Sequence, residues 1–119
     1  MYMTSEALSI SSPISLGYVE QGMEITIAPA EMQENVALIA HVNGALASFA
    51  PFHHRVMHIE QHALVEGANQ LSVLAILKPG ANAQQMIIEI ADAETQIADR
   101  FVLTPTHEAP DTIEVLVEA

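Results

Sequence analysis

Apolar and polar residues alternate with a period of two along most of this 119-residue chain, in short runs broken by Gly, Pro, Asn and Asp. Such alternation is typical of extended strands, because successive side chains of a strand point to opposite faces. In the run 23–27, Met, Ile and Ile fall on one face and Glu and Thr on the other, with Gly22 before and Pro29 after. The pattern predicts an all-β domain.

Turn residues separate the apolar runs. Asn43-Gly44 predicts a hairpin with a type I′ turn, because both residues accept the positive φ angles of that turn. Pro79 followed by Gly80 predicts a type II turn after the nearly continuous apolar run 71–77, which indicates a central strand covered on both faces. A short helical segment is predicted at 30–35, and either a turn or a single helical turn at 91–96.

Strands separated by turns, with no long amphipathic helix between them, favour an antiparallel two-sheet β-sandwich over alternating strands and helices. Strands are also expected at 86–90 and 97–103. After Leu103 the sequence Thr-Pro-Thr-His-Glu-Ala-Pro-Asp is typical of a linker. We therefore predict a sandwich domain over 1–103 and a C-terminal extension over 104–119, whose strand at 112–117 needs a partner edge.

Charge narrows the range of ligands. Fifteen acidic residues against three basic ones give a formal charge of −12, which repels phosphate backbones and anionic membrane surfaces. No apolar run approaches the roughly 20 residues that span a bilayer, and no secretory signal pattern is seen at the N-terminus. The absence of cysteine excludes disulfides and thiol nucleophiles, and fits synthesis in a reducing cytoplasm.

The stretch 12–103 resembles an immunoglobulin-like β-sandwich. In many such modules a Leu-x-x-Gly-x-Asn-x-Leu-x-Val passage leads into a central strand, and the passage at 64–73 fits it. The matching residues are Leu64, Gly67, Asn69, Leu71 and Val73. Unlike antibody domains, the chain has neither cysteine nor tryptophan. Modules of this cysteine-free type occur in bacteriophage virions and bacterial surface proteins, so the resemblance implies a binding or structural role.

The segment 53–62 contains four of the six histidines and is a candidate site for a divalent metal. In a strand, four residues share a face, with alternate neighbours about 6.6 Å apart: His54, His58, Glu60 and His62. In a helix the three histidines stack at i, i+4 and i+8, and a further ligand comes from His41 or His107. The alternative is a solvent-facing strand with Met57 and Ile59 packed inward.

A role in pH sensing is a further alternative for the histidines, because imidazole titrates near pH 6.5. No Gly-x-Ser-x-Gly elbow and no phosphate-binding glycine loop occurs. Carboxylate pairs such as Asp92 with Glu94 are more simply explained as solvated surface charge. We therefore do not expect an enzyme, and we expect no bound cofactor other than a divalent metal at the histidines.

These observations together favour a structural or assembly protein that acts through protein–protein contacts, as a homo-oligomer or on the surface of a larger particle. The specific expectation is a bacteriophage virion component, either capsid decoration or tail-associated, made in the host cytoplasm. A cytoplasmic or cell-surface location is the alternative. The C-terminal strand is expected to pair with a neighbouring subunit through Thr112, Ile113, Val115 and Val117. The competing function is an immunoglobulin-like module that binds a ligand or metal at 53–62.

Overall fold

The computed structural model describes residues 22–28, 30–92 and 98–119. These residues form eight strands and two short 3₁₀ helices, Ala30–Glu34 and Gln61–Ala63. The strands are β1 (Met23–Ala28), β2 (Val36–Val42), β3 (Ala45–Ala50), β4 (Val56–Ile59), β5 (Ala68–Leu77), β6 (Met86–Asp92), β7 (Ala98–Leu103) and β8 (Asp111–Glu118). Residues 93–97, with most of the turn predicted at 91–96, and residues 1–21 of the predicted sandwich lie outside the described residues.

The described strands form two four-stranded antiparallel sheets that pack face to face. The first sheet has the order β4-β1-β6-β7, and the second has the order β3-β2-β5-β8. At one side of the sandwich β3 lies beside β4, and at the other side β7 lies beside β8. The all-β two-sheet sandwich predicted from the alternation is confirmed, and the arrangement is compatible with an immunoglobulin-like fold.

The core lies between the sheets and is built from every second residue of the central strands. In the first sheet, Ile25 of β1 lies opposite Ile90 of β6, and the next inward pair along these strands joins Ile27 to Ile88. In the second sheet the inward residues of β2 and β5 are likewise buried. Aliphatic side chains facing each other across the two sheets supply the main stabilisation of the domain.

The predicted turns have the expected backbone geometry. Asn43 and Gly44 both have positive φ, 53° and 86°, so the hairpin between β2 and β3 is of the predicted type I′. The N–H of Ala81 donates to the carbonyl of Lys78 at 3.1 Å, and Gly80 has φ 89°, as a type II turn requires. The short helical segment predicted at 30–35 is the 3₁₀ helix Ala30–Glu34.

The strand β5 differs from its prediction in one respect. Its inward residues are buried, but its outward residues Ser72, Leu74 and Ile76 are only partly buried, so the strand is not covered on both faces. It is central in hydrogen bonding, since it lies between β2 and β8, and its outer face remains accessible. An apolar run does not by itself distinguish a strand that is hydrogen-bonded on both sides from a strand that is also covered on both faces.

The C-terminal strand β8 is part of the second sheet. It pairs with β5 over its whole length, from Asp111 opposite Ala75 to Glu118 opposite Ala68, and Val115 and Val117 are buried in the core. The strand needed a partner edge, and β5 of the same chain provides it. The predicted boundary near Leu103 therefore separates two consecutive strands of one sandwich, and 104–110 is the connection that crosses from the first sheet to the second.

Asn69 is a buried polar residue that joins the ends of the second sheet. Its Oδ1 accepts hydrogen bonds from the N–H of Val65 at 2.8 Å and from Nδ2 of Asn43 at 2.9 Å. Its Nδ2 donates to the carbonyls of Val65 and Gly67, and lies 3.5 Å from that of Val117. The Leu-x-x-Gly-x-Asn-x-Leu-x-Val spacing at 64–73 thus has a structural explanation, because Asn69 ties the β2–β3 hairpin, the start of β5 and the end of β8 together.

Gly22 occupies a position that requires glycine twice over. Its φ is +88°, and an added Cβ would overlap the carbonyl oxygen of Ile59.

Gly80 has nearly the same φ, +89°, but open space around it, so Gly80→Ala is a matched control for backbone strain alone. We expect Gly22→Ala to reduce the free energy of unfolding by about 1–3 kcal/mol more than Gly80→Ala. Urea denaturation measures both losses, and equal losses would contradict the close approach.

Substitution of Asn69 tests the buried hydrogen-bond hub. We expect Asn69→Ala to lower the free energy of unfolding by about 2 kcal/mol, because it removes several part-buried hydrogen bonds, each of which contributes about 0.5–1.5 kcal/mol. Gln70→Ala is the control, since Gln70 is exposed and its replacement should cost no more than about 0.5 kcal/mol. Comparable losses in the two variants, measured by urea denaturation, would show that Asn69 does not hold the sheet ends together.

Candidate protein-interaction surface

Three adjacent strands of the second sheet, β2, β3 and β5, contain no Asp, Glu, Lys or Arg. This is unusual in a chain with a formal charge of −12. We call the outward side of these strands the uncharged face. Its residues are Ala37, Ile39 and His41 of β2, Leu46 and Phe49 of β3, and Ser72, Leu74 and Ile76 of β5.

The register of the sheet arranges the uncharged face in rows across the strands. One row runs from Phe49 through Ile39 and Leu74 to Thr112 of β8, and it is apolar up to that last residue. Side chains directly opposite each other on an antiparallel sheet lie about 5 Å apart and are in contact. The row therefore forms a continuous apolar band across the sheet.

The next row begins at Leu46, passes through His41 and Ser72, and ends at Glu114 of β8. It is more polar than the first row and meets a carboxylate only at the border strand. That carboxylate accepts a hydrogen bond from Nε2 of Gln70 at 2.6 Å. The acidic residues of this sheet thus lie on β8, at the border of the uncharged face.

A β-bulge in β3 places its two large apolar side chains on the same face. Ser48 lies opposite Ala40 and Leu46 lies opposite His41, so Ala47 has no partner in β2. Leu46 and Phe49 are three residues apart and would point to opposite faces of a regular strand. With the bulge both point outward, where they are 66% and 55% exposed. Bulges often redirect a side chain at a functional position.

The outward side of the first sheet carries charges instead. Arg100 of β7 pairs with Glu89 of β6, with Nε 2.7 Å from Oε2. His58 of β4 lies opposite Glu24 of β1, with Nδ1 3.8 Å from Oε2. These charged side chains are solvated, whereas a contiguous exposed apolar surface indicates an interaction site.

Among the described strands, four lie at the edge of a sheet, and each has a feature that discourages pairing with another chain. β3 carries the bulge, whose irregular backbone disfavours pairing, and β4 is short, with only four residues. Charged residues protect the other two edges: Asp99 and Arg100 on β7, and Asp111, Glu114 and Glu118 on β8. The uncharged face is therefore better suited to a contact than any edge.

This arrangement also locates the residues predicted for β-strand pairing with a neighbour. Val115 and Val117 lie in the core, and Ile113 packs against it. Thr112 points outward at the border of the uncharged face. The apolar side chains of β8 thus pack mainly within the same chain, because β8 pairs with β5 and completes the second sheet.

The structure disperses the predicted metal ligands. His58 is exposed on β4, which ends at Ile59, so Glu60 lies beyond the strand and His62 lies in the 3₁₀ helix Gln61–Ala63. His54 lies in the turn before β4, where its N–H donates to the carbonyl of Pro51 at 3.1 Å. Neither the single strand nor the helix considered for 53–62 forms.

The alternative interpretation of a solvent-facing strand is confirmed at Met57 and Ile59, which are both buried. The further ligands considered lie elsewhere: His41 is on the uncharged face, and Nε2 of His107 is 2.5 Å from the carbonyl oxygen of Ala81. Within the described residues no group of three or more His, Asp or Glu side chains could hold a metal ion.

The sequence contained a signal for the uncharged face that the alternation did not bring out. The runs 36–42, 45–50 and 68–77 are each free of charge. Their adjacency in one sheet depends on the pairing of β2 with both β3 and β5, which links distant parts of the chain. The bulge that turns Leu46 and Phe49 to the same face is not visible in the alternation.

Comparison with known proteins gives no matching family model, no matching curated protein and no matching solved structure. In the described part of the chain, no helix is long and apolar enough to cross a membrane. The function is therefore inferred from the geometry and the sequence.

Thermal unfolding in the presence of Zn²⁺ or Ni²⁺ tests the histidine segment. We expect no rise in melting temperature, because a metal stabilises the folded state only where that state gathers its ligands. His107→Ala is the control, since His107 lies outside the segment 53–62. A metal-induced rise that is lost in His58→Ala or His62→Ala and kept in His107→Ala would establish a site at the segment.

Proposed function

We propose that this protein is a non-enzymatic structural protein that assembles through protein–protein contacts, with the uncharged face as its contact surface. The observation that carries the proposal is the exposure of Leu46 and Phe49 on a sheet face without charged residues. Two large apolar side chains held in solvent by a bulge present apolar area that contact with a partner removes from water.

The energetics of the face favour a contact with another folded protein. Full burial of a Leu or Phe side chain contributes about 1.5–3 kcal/mol, so covering the exposed parts of Leu46 and Phe49 contributes about 2–3 kcal/mol together. The partly exposed Ile39, Leu74 and Ile76 extend the same surface. No carboxylate or ammonium group on β2, β3 or β5 needs to be desolvated, which removes the largest opposing cost.

The specific form that we propose is a bacteriophage virion component, either capsid decoration or tail-associated, made in the host cytoplasm. The cysteine-free sandwich, its small size and its acidity support this form. A charge of −12 also keeps the face from binding nucleic acid non-specifically, so the partner surface is expected to be protein with an apolar, uncharged patch.

Sedimentation of the native protein tests the proposal. In a gradient of the lysate or particle preparation that contains it, we expect the protein to travel with a large assembly. Phe49→Glu should move it to the fractions of a free small protein, because a carboxylate would be buried without a partner. Val102→Glu is the matched control: Val102 is 54% exposed, against 55% for Phe49, and lies outward on the first sheet.

Retention of Phe49→Glu in the assembly would show that another surface makes the contact. Sedimentation of the unmodified protein as a free small species would contradict the proposed function itself. Urea denaturation of both variants checks that they fold, and each substitution of an exposed residue is expected to change the free energy of unfolding by no more than about 0.5 kcal/mol.

A further inference from the structure

We infer that the uncharged face binds a second copy of this chain, in a face-to-face dimer with two-fold symmetry. This inference rests on the proposed function and names the partner of the same surface, so that the unit that enters a larger assembly is the dimer. A two-fold dimer uses one patch on both subunits, so the patch must be complementary to itself. The row that runs from Phe49 through Ile39 and Leu74 to Thr112 has that property.

The complementarity follows from the register. A two-fold axis parallel to the strands, passing between β2 and β5, places each row of one copy on the same row of the other copy in reversed strand order. Ile39 then faces Leu74 of the second copy, and His41 faces Ser72 of the second copy. In the row of Ile39 apolar side chains meet apolar ones. In the next row an imidazole meets a hydroxyl with which it can hydrogen-bond, and Leu46 lies over Glu114 of the second copy at the border.

The distance that the side chains project from the sheet also fits this symmetry. The two most exposed residues of the face, Leu46 and Phe49, lie on β3 at one side. The other side is β8, where the shorter Thr112 continues the row of Phe49. The axis places β3 of one copy over β8 of the other, so that Phe49 lies over Thr112 of the second copy. Sheets of identical twist pack in this way at a separation of about 10 Å.

The size of the face indicates a weak dimer. Four strands spaced about 4.8 Å apart, with 6–10 residues each at about 3.3 Å per residue, give a footprint of about 500 Å² on each copy. The total of about 1,000 Å² is at the lower limit for a specific interface. We therefore expect a monomer–dimer equilibrium with a dissociation constant in the micromolar range.

Charge distinguishes a second copy from a partner of opposite charge. Each copy carries −12, so the two repel at a distance, while the contact itself brings together no Asp, Glu, Lys or Arg of β2, β3 or β5. Salt screens this repulsion, since the Debye length falls from about 30 Å at 0.01 M to about 8 Å at 0.15 M. Dimerisation should strengthen as salt is added, whereas binding of a basic partner would weaken.

The first experiment is sedimentation equilibrium of the purified chain over a range of protein and NaCl concentrations. We expect dimers that dissociate on dilution and that tighten several-fold between 0.01 M and 0.15 M NaCl. Phe49→Glu should weaken dimerisation by at least about tenfold, and the control Val102→Glu should leave it within about twofold. A monomer at every concentration would overturn the second copy as the partner, even if the native protein travels with a larger assembly.

The second experiment locates the contact by thiol reactivity, which the cysteine-free chain allows. Ser72→Cys places a thiol on the uncharged face with almost no change of volume, and Thr26→Cys places one on the outward side of central strand β1 in the first sheet. Both positions are partly exposed. We expect the thiol at position 72 to react more slowly with a maleimide as protein concentration rises, and that at position 26 to react at a constant rate.

The pair of experiments separates the inference from the proposed function. A dimer in which the thiol at position 72 remains equally reactive at all concentrations would overturn the face-to-face arrangement and leave assembly intact. Pairing of β8 edges is one such arrangement, since it leaves the uncharged face open. Concentration-dependent protection at position 72 but not at position 26 supports the dimer that we infer.

Discussion

The buried amide of Asn69 is the interaction on which the second sheet depends. One side chain receives hydrogen bonds from the turn before β5 and from Asn43 in the β2–β3 hairpin, and donates to the same turn while lying close to the end of β8. An amide can satisfy this many backbone groups because it combines two donors with an acceptor that has two lone pairs. Removing it would leave the N–H and the carbonyl of Val65, both partly buried, without this partner, at a cost above that of one hydrogen bond.

These hydrogen bonds hold the ends of β2, β3, β5 and β8 together and so fix the register between the strands. The register in turn determines which residues form each outward row. The same pairing that buries Leu71 and Val73 exposes Ser72 and Leu74 in line with Ile39 and Phe49. A one-residue shift would exchange the inward and outward sets. The uncharged face is therefore a consequence of the register that also builds the core.

Stability and solubility are balanced differently in the two sheets. The first sheet covers its outward side with charged pairs such as Arg100 with Glu89, while the second leaves apolar side chains in solvent and has its acidic residues at the border strand. The edges are protected by a bulge, by shortness or by charge. This combination discourages uncontrolled strand pairing and leaves one broad face for a defined contact.

The sequence by itself determined the alternation and the turns. Period-two patterning depends only on neighbours along the chain, so the strands and the Asn43-Gly44 and Pro79-Gly80 turns could be predicted residue by residue. The order of strands within the sheets could not, because pairing of β5 with β8 joins residues more than 35 positions apart in the chain. That pairing placed β8 inside the sandwich. The end of β4 at Ile59 dispersed the histidines of 53–62, and the pairing of β2 with β3 and β5 assembled three charge-free strands into one face. Only the tertiary structure decided these features, since each depends on contacts between segments that local patterning treats as independent.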